Sequence, residues 1–144
     1  MGWGRYIFLL NYNIYYNMNH NLFIGLICLL VLYIYSSYEK ILDVNGTAES
    51  LQRKLNFLPM KICIFGIILV IILEGIGSLF LLYSAYTNKY KQYAYNTVIA
   101  FILFNIVVTF IYHSPFIKKQ QVNFMKNLSI TGGFILLLEH IKNN

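Results

Sequence analysis

Charge is what this chain has least of. Only 11% of its 144 residues are charged, where a soluble domain carries roughly a quarter. With 58% hydrophobic residues and a mean hydropathy of +0.60, the deficit excludes an ordinary soluble domain. It indicates an integral membrane protein with room for one compact domain. Acidic residues number 5 against 11 basic ones, for a formal charge of +6. The basic residues are scattered at the ends of apolar runs, with no stripe and no recognition motif, so nucleic acid is excluded as a partner. Anchoring to the surface of a lipid bilayer accounts for them.

Cysteine is nearly absent. Cys28 and Cys63 stand apart, each in or beside an apolar run, with no C-x-x-C pair and no zinc-ligand spacing. That speaks against a dithiol, a structural metal and a self-contained disulfide-forming enzyme, and it predicts two buried, unreactive thiols. His113 falls at the opposite membrane face from His20 and His140, so no histidine sits at mid-depth to clamp a haem iron. No metal is expected. A G-x-G-x-x-G fingerprint, a phosphate loop and a Ser/His/Asp set are missing too.

What is present is apolar run after apolar run. The first is Leu22–Tyr38, the second Ile62–Tyr86, the third Tyr93–Tyr112. The fourth runs from Gln121 to Ile141, purely apolar over Leu128–Leu138. A crossing takes about 20 apolar residues as a helix. Short polar links after the second and third runs force antiparallel neighbours, predicting an all-α, polytopic, four-helix up-down bundle over residues 22–141. Tyr33, Tyr35, Tyr38, Tyr83, Tyr86, Tyr90, Tyr93, Tyr95 and Tyr112 cluster at run ends, as an interfacial aromatic belt does. Basic residues divide too evenly between the two faces to orient the bundle, and the membrane, a bacterial plasma membrane or an organelle membrane, stays open.

Residues 1–21 read as an Asn/Tyr-rich extension, interfacial or disordered. The apolar core of its first ten residues is too short for a signal peptide, and Tyr6 stands where myristoylation needs Ser or Thr. Met18, just before the first strong run, is an alternative start. Between the first and second runs, Thr47 is placed to cap a short amphipathic helix with Ala48, Leu51, Leu55 and Leu58 on one side. Glu49 early and Arg53 with Lys54 late suit its dipole, and Pro59 closes it. Such a helix is expected to lie on the membrane surface.

Glu74 is the most informative single residue. A carboxylate near the middle of a crossing costs roughly 2.5–3.5 kcal/mol on insertion scales, so it turns toward protein or a water-filled cavity. Helical spacing supplies company. Asn105, Thr109 and His113 recur at i, i+4 and i+8, and so line one face. Gly66, Glu74 and Ser78 fall on one stripe, with Gly75 and Gly77 admitting a close neighbour. Asn123, Asn127 and Thr131 share a face beside Lys126, and Ser36 lies one turn from Lys40. Converging faces make a polar seam that widens toward the first and third links. Ser36, Ser78, Thr109 and Thr131 read as ordinary packing glue. Lys126 is placed either to snorkel to the headgroups or to enter the seam, and His113 either to cap its helix or to serve a ligand. Glu74 is expected to be protonated, or paired with Lys126 across the bundle.

Five stretches carry a family resemblance. They are SSYEK at Ser36–Lys40, NGTAESLQRKLNFLP at Asn45–Pro59, ILEGIGSLFLLYSAY at Ile72–Tyr86, FIYHSPF at Phe110–Phe116 and QQVNFMKNLSITGGFILLL at Gln120–Leu138. In that order they resemble the DoxX family of four-helix membrane proteins. The last stretch is the most specific, with Gln121, Phe124, Lys126, Asn127, Gly132 and Gly133 at the family's usual positions. The chain departs from the pattern at Ser37, where many members carry Gly, and in its N-terminal extension. Members are linked to quinol-oxidising and thiosulfate–quinone systems and to membrane redox-stress complexes, most without an assigned reaction. The resemblance implies an accessory subunit of a quinone-linked membrane redox complex, partnered by other redox subunits. In that reading the seam receives a quinone, with Glu74 relaying a proton and Lys40, Asn105, Thr109, His113, Lys126 and Asn127 lining the site. A non-catalytic scaffold or assembly factor is the alternative. A small-solute carrier is disfavoured by the lack of an internal repeat or a broken-helix pair.

Overall fold

The computed structural model describes residues 20–113 and 115–143, and the described chain contains helices and no strand. The N-terminal stretch through residue 19, with Met18, and Ser114 lie outside the described residues. Helix α1 is His20–Leu42, α2 is Val44–Lys54, α3 is Met60–Thr87, α4 is Lys91–Tyr112 and α5 is Lys118–Asn143.

Among the described residues, α1, α3 and α4 are long and apolar enough to cross a membrane, with 23, 28 and 22 residues. At 1.5 Å per residue each reaches the roughly 30 Å of a hydrocarbon core. Helix α5 has 26 residues, but polar side chains over its first turns leave it less apolar than the others. It packs along α4 nonetheless.

The core is a cluster of rings and branched chains shared by four helices. Leu30 and Tyr33 of α1, Leu81 of α3, Val98 and Phe101 of α4, and Phe134 of α5 are all buried in it. Phe101 stacks on Phe134 at 5.1 Å, and Tyr33 meets Phe101 edge-on at 5.0 Å. Each such pair contributes about 0.5–1.5 kcal/mol beyond its packing. In lipid that packing matters more than usual, because apolar burial between helices brings no gain over lipid tails.

Tyr33 therefore belongs to the core and not to the aromatic belt. Its place was readable: Leu26, Leu30, Tyr33 and Ser37 form the buried stripe of α1, a 3.6-residue repeat. Of the two thiols Cys63 is buried and Cys28 is exposed on the outer surface, which corrects the expectation for Cys28.

The first link also differs from its sequence reading. Asp43, not Thr47, caps α2: its carboxylate accepts the Gly46 amide at 2.8 Å. The Thr47 hydroxyl instead donates to the Asp43 carbonyl at 2.8 Å. Asp outranks Thr as a cap, and the interruption of the helix after Leu42 puts Asp43 where the cap must be. Leu55 and Leu58 lie past the helix end. Ala48 is buried against Cys63 and Ile67, so α2 packs onto the start of α3.

Helix α3 carries a feature with no sequence forecast, a π-helical turn at Leu73–Gly77. Single π turns inside α-helices leave backbone carbonyls without their usual partner and occur often at functional sites. Here the Ser37 hydroxyl of α1 donates to the Ile71 carbonyl at 3.1 Å. The two glycines of the turn permit the approach. A Cβ on Gly75 would stand 2.8 Å from the Ser37 Oγ, and one on Gly77 would stand 3.4 Å from Phe101. The α3–α4 hairpin closes through left-handed Asn88 (φ 54) and Tyr90 (φ 60). Asn tolerates that conformation readily, and Tyr90 is held in it while stacked on Tyr83.

Candidate functional site

Glu74 sits in the π turn with its side chain 4% exposed, and its Oε2 accepts the Lys40 ammonium at 2.8 Å. Lys40 also contacts the Ser36 hydroxyl and carbonyl one turn back on α1. The expected partner, Lys126, is not the partner. Lys126 is exposed on the third turn of α5, whereas helical side chains slant toward their own N-terminus, which carries Lys40 from the end of α1 down into the bundle. A buried carboxylate with one ammonium ligand is compensated, and removing either partner leaves a lone buried charge.

A second polar centre lies deeper. Asn105 of α4 accepts from the Tyr33 hydroxyl at 3.2 Å. Its amide nitrogen donates to the Asn127 carbonyl and to the Thr131 hydroxyl of α5, each at 2.7 Å. Thr109 donates to the Asn105 carbonyl at 2.6 Å, and Thr131 to the Asn127 carbonyl at 2.9 Å. Both donors of the Asn105 amide and its oxygen are engaged. Asn105 is thus a clamp joining α1, α4 and α5.

Both centres border one cavity of about 650 Å³. All five helices contribute to its wall, which includes Lys40, Glu74, Asn105, His113, Lys126 and Asn127. Thr109 stands behind, buried and bonded within α4. Tyr35, Ser36, Glu39 and Tyr112 add further polar groups to the wall, and Ile67, Val70, Val108 and Ile111 are among its apolar side chains. Thr47, Ser50, Leu51 and Leu55 of the α2 segment roof the end nearest the first link. A smaller cavity of about 310 Å³ lies toward the other end, bordered by Ser84, Asn88, Lys91 and His140. The histidines are therefore divided between the two ends.

His113 follows the last turn of α4, its amide donating to the Thr109 carbonyl at 2.9 Å. Burial pushes its imidazole below the ordinary value of 6.5, and the charges of Lys126 and Lys54 push it the same way. At neutral pH it is an uncharged ring with one donor and one acceptor. Spacing along the helices names Lys40, Gly66, Glu74, Asn105, His113, Lys126 and Asn127 of this wall, but neither Tyr33 of the wall nor Ser37, which bonds the Ile71 carbonyl. For both, the buried stripe of α1 was the available signal.

One oddity remains in the seam. The Ser78 hydroxyl is fully buried and has no hydrogen-bond partner among the described residues. It lies one turn beyond Glu74 on α3.

The chain is similar to a known protein over most of its length. The inner membrane protein YqjF of Escherichia coli (strain K12) is 31% identical over 108 residues, covering 74% of this chain and 73% of that one. No family model matches the chain, and no solved structure matches it significantly. With apolar helices able to span a bilayer and that identity over most of both sequences, the chain is a multi-pass integral membrane protein belonging to the family of YqjF.

Proposed function

We propose that the chain is a DoxX-like protein with four crossings, acting as an accessory subunit of a quinone-linked membrane redox complex. The observation that carries this reading is the Lys40–Glu74 pair set in the wall of a largely apolar cavity at membrane depth. The fourth crossing is supported by packing. Asn127, Phe134 and Leu137 of α5 are buried along α4, so α5 shares much of the depth that α4 spans.

The cavity fits a quinone in size and chemistry. At about 650 Å³ it lies in the roughly 300–1,000 Å³ range of small-molecule sites, apolar with a few directed polar groups. When bound, a quinone supplies two-electron, two-proton redox chemistry. The protein's part is to hold the head group with the Lys40 ammonium and the neutral His113 ring, to exclude water with the α2 roof, and to accept or release a proton at the Glu74 carboxylate. Lys126, at the mouth, favours electron-rich oxygens on arrival. Asn105 contributes rigidity in place of a ligand contact.

The test is quinol-dependent turnover of the intact complex with Glu74→Gln. A fall of ten-fold or more, with the subunit still assembled, supports the relay. Unchanged turnover removes it. The Asn105 clamp favours a second reading, a non-catalytic scaffold whose seam serves only helix packing. In that case deletion abolishes the complex and Glu74→Gln complements fully.

A further inference from the structure

We infer that the cavity opens sideways into the bilayer between α3 and α4, and that this gap receives the apolar chain of a membrane-dissolved quinone. The inference rests on the quinone reading for the occupant and on separate observations for the gap. Helix α3 does not follow α4 along its whole length. The half before the π turn packs on α1 and α2, while the π turn and the half after it approach α4. Between the diverging parts lie Gly66 and Val70 on α3, and Phe104, Val107 and Ile111 on α4, all on the cavity wall.

Gly66 is the telling residue. A Cβ placed on Gly75 or Gly77 would meet a neighbouring helix at 2.8 or 3.4 Å, but one on Gly66 meets nothing within 4 Å. Gly66 therefore faces open space where the other two face a packed partner. Val107 borders the cavity and is 54% exposed, yet it shares the outward stripe of α4 with Leu103 and Phe110, which are exposed and do not line the cavity. The space inside is thus continuous with the space where lipid chains lie. The residues along this route are apolar, and the polar pair of Lys40 and Glu74 waits at its inner end. Because α2 roofs the end nearest the first link, a ligand with a long chain has its way in from the side. A polar head on the ion pair and a chain trailing between Gly66 and Val107 satisfies both surfaces at once.

The experiment uses the full chain in phosphatidylcholine nanodiscs and two quinones with the same head group, one with a long isoprenoid chain and one with none. Gly66→Phe is expected to weaken binding of the long-chain quinone at least ten-fold and to change the chainless one less than two-fold. Val107→Trp, from the opposite wall, reads the same should Gly66→Phe fail to fold. Leu79→Phe, on the lipid-facing surface of α3, is expected to change neither. Equal losses for both quinones, or no loss for either, overturn the gap while leaving the quinone reading standing. A diazirine-bearing fatty alcohol separates the remaining cases. If neither quinone binds the wild type but the alcohol labels near Val70 in wild type and not in Gly66→Phe, the gap stands and the quinone is wrong. If neither quinone binds and labelling near Val70 is absent or indifferent to Gly66→Phe, both ideas fall.

Discussion

A lone carboxylate in an apolar helix is a question about partners, and here the answer is Lys40. Breaking a buried pair by removing one member costs about 3–5 kcal/mol, whereas replacing both with apolar groups is often close to neutral. Lys40→Met is therefore expected to lower the thermal midpoint in detergent markedly, and Lys40→Met with Glu74→Met to recover most of the loss. The charge swap Glu74→Lys with Lys40→Glu should keep the fold, while Glu74→Lys with Lys126→Glu should not. Rescue by the Lys126 swap would contradict the observed pair. His113 offers a second check. Its lowered proton affinity means that the unfolded chain holds more protons than the folded one in the window below 6.5, so its contribution to stability rises with pH there. A ring titration followed by NMR should place His113 below its ordinary value. Lys126→Gln should move it upward by removing one of the repelling charges.

At the scale of elements, the π turn decides where Glu74 points and how near α1 can come. The Ser37 hydroxyl is both a ligand for the Ile71 carbonyl and the atom that a Cβ at position 75 would strike. Gly75→Ala is expected to destabilise by about 1–3 kcal/mol, the usual range for overpacking. Ser37→Gly in the same chain should relieve most of that. A double-mutant cycle by thermal unfolding measures the coupling, and additive effects would deny the contact. Helix α2 shows a different rule. Its amphipathic pattern was plain in sequence, but a pattern names a buried face without naming what buries it. Here the partner is α3, through Ala48, Cys63 and Ile67.

For the whole molecule, the decisive matter is the path of α5. If α5 crosses alongside α4, the α3–α4 link and the end of α5 at Asn143 lie on one side of the membrane, with α2 and the α4–α5 link on the other. Single cysteines in place of Lys89, Glu49 or Lys118, in a chain freed of Cys28 and Cys63, report this with a membrane-impermeant maleimide. Lys89→Cys is expected to label from one side, and Glu49→Cys and Lys118→Cys from the other. A cysteine at Asn143 should label with Lys89→Cys; labelling with Lys118→Cys would show that α5 does not cross.

Composition and periodicity alone determined that this is a helical membrane protein, because scarce charge and runs of about 20 apolar residues admit few other structures in water or lipid. They also marked the polar side chains that end up around one cavity, since spacing along a helix sets which residues share a face. The tertiary structure decided the pairings. Whether Glu74 met Lys40 or Lys126, and where α3 departs from α4, depend on helix rotation, tilt and a one-residue π insertion. Those are set by contacts between helices distant in sequence, among them Ser37 on Gly75, Asn105 on Asn127 and Phe101 on Phe134. No single helix carries them in its own pattern.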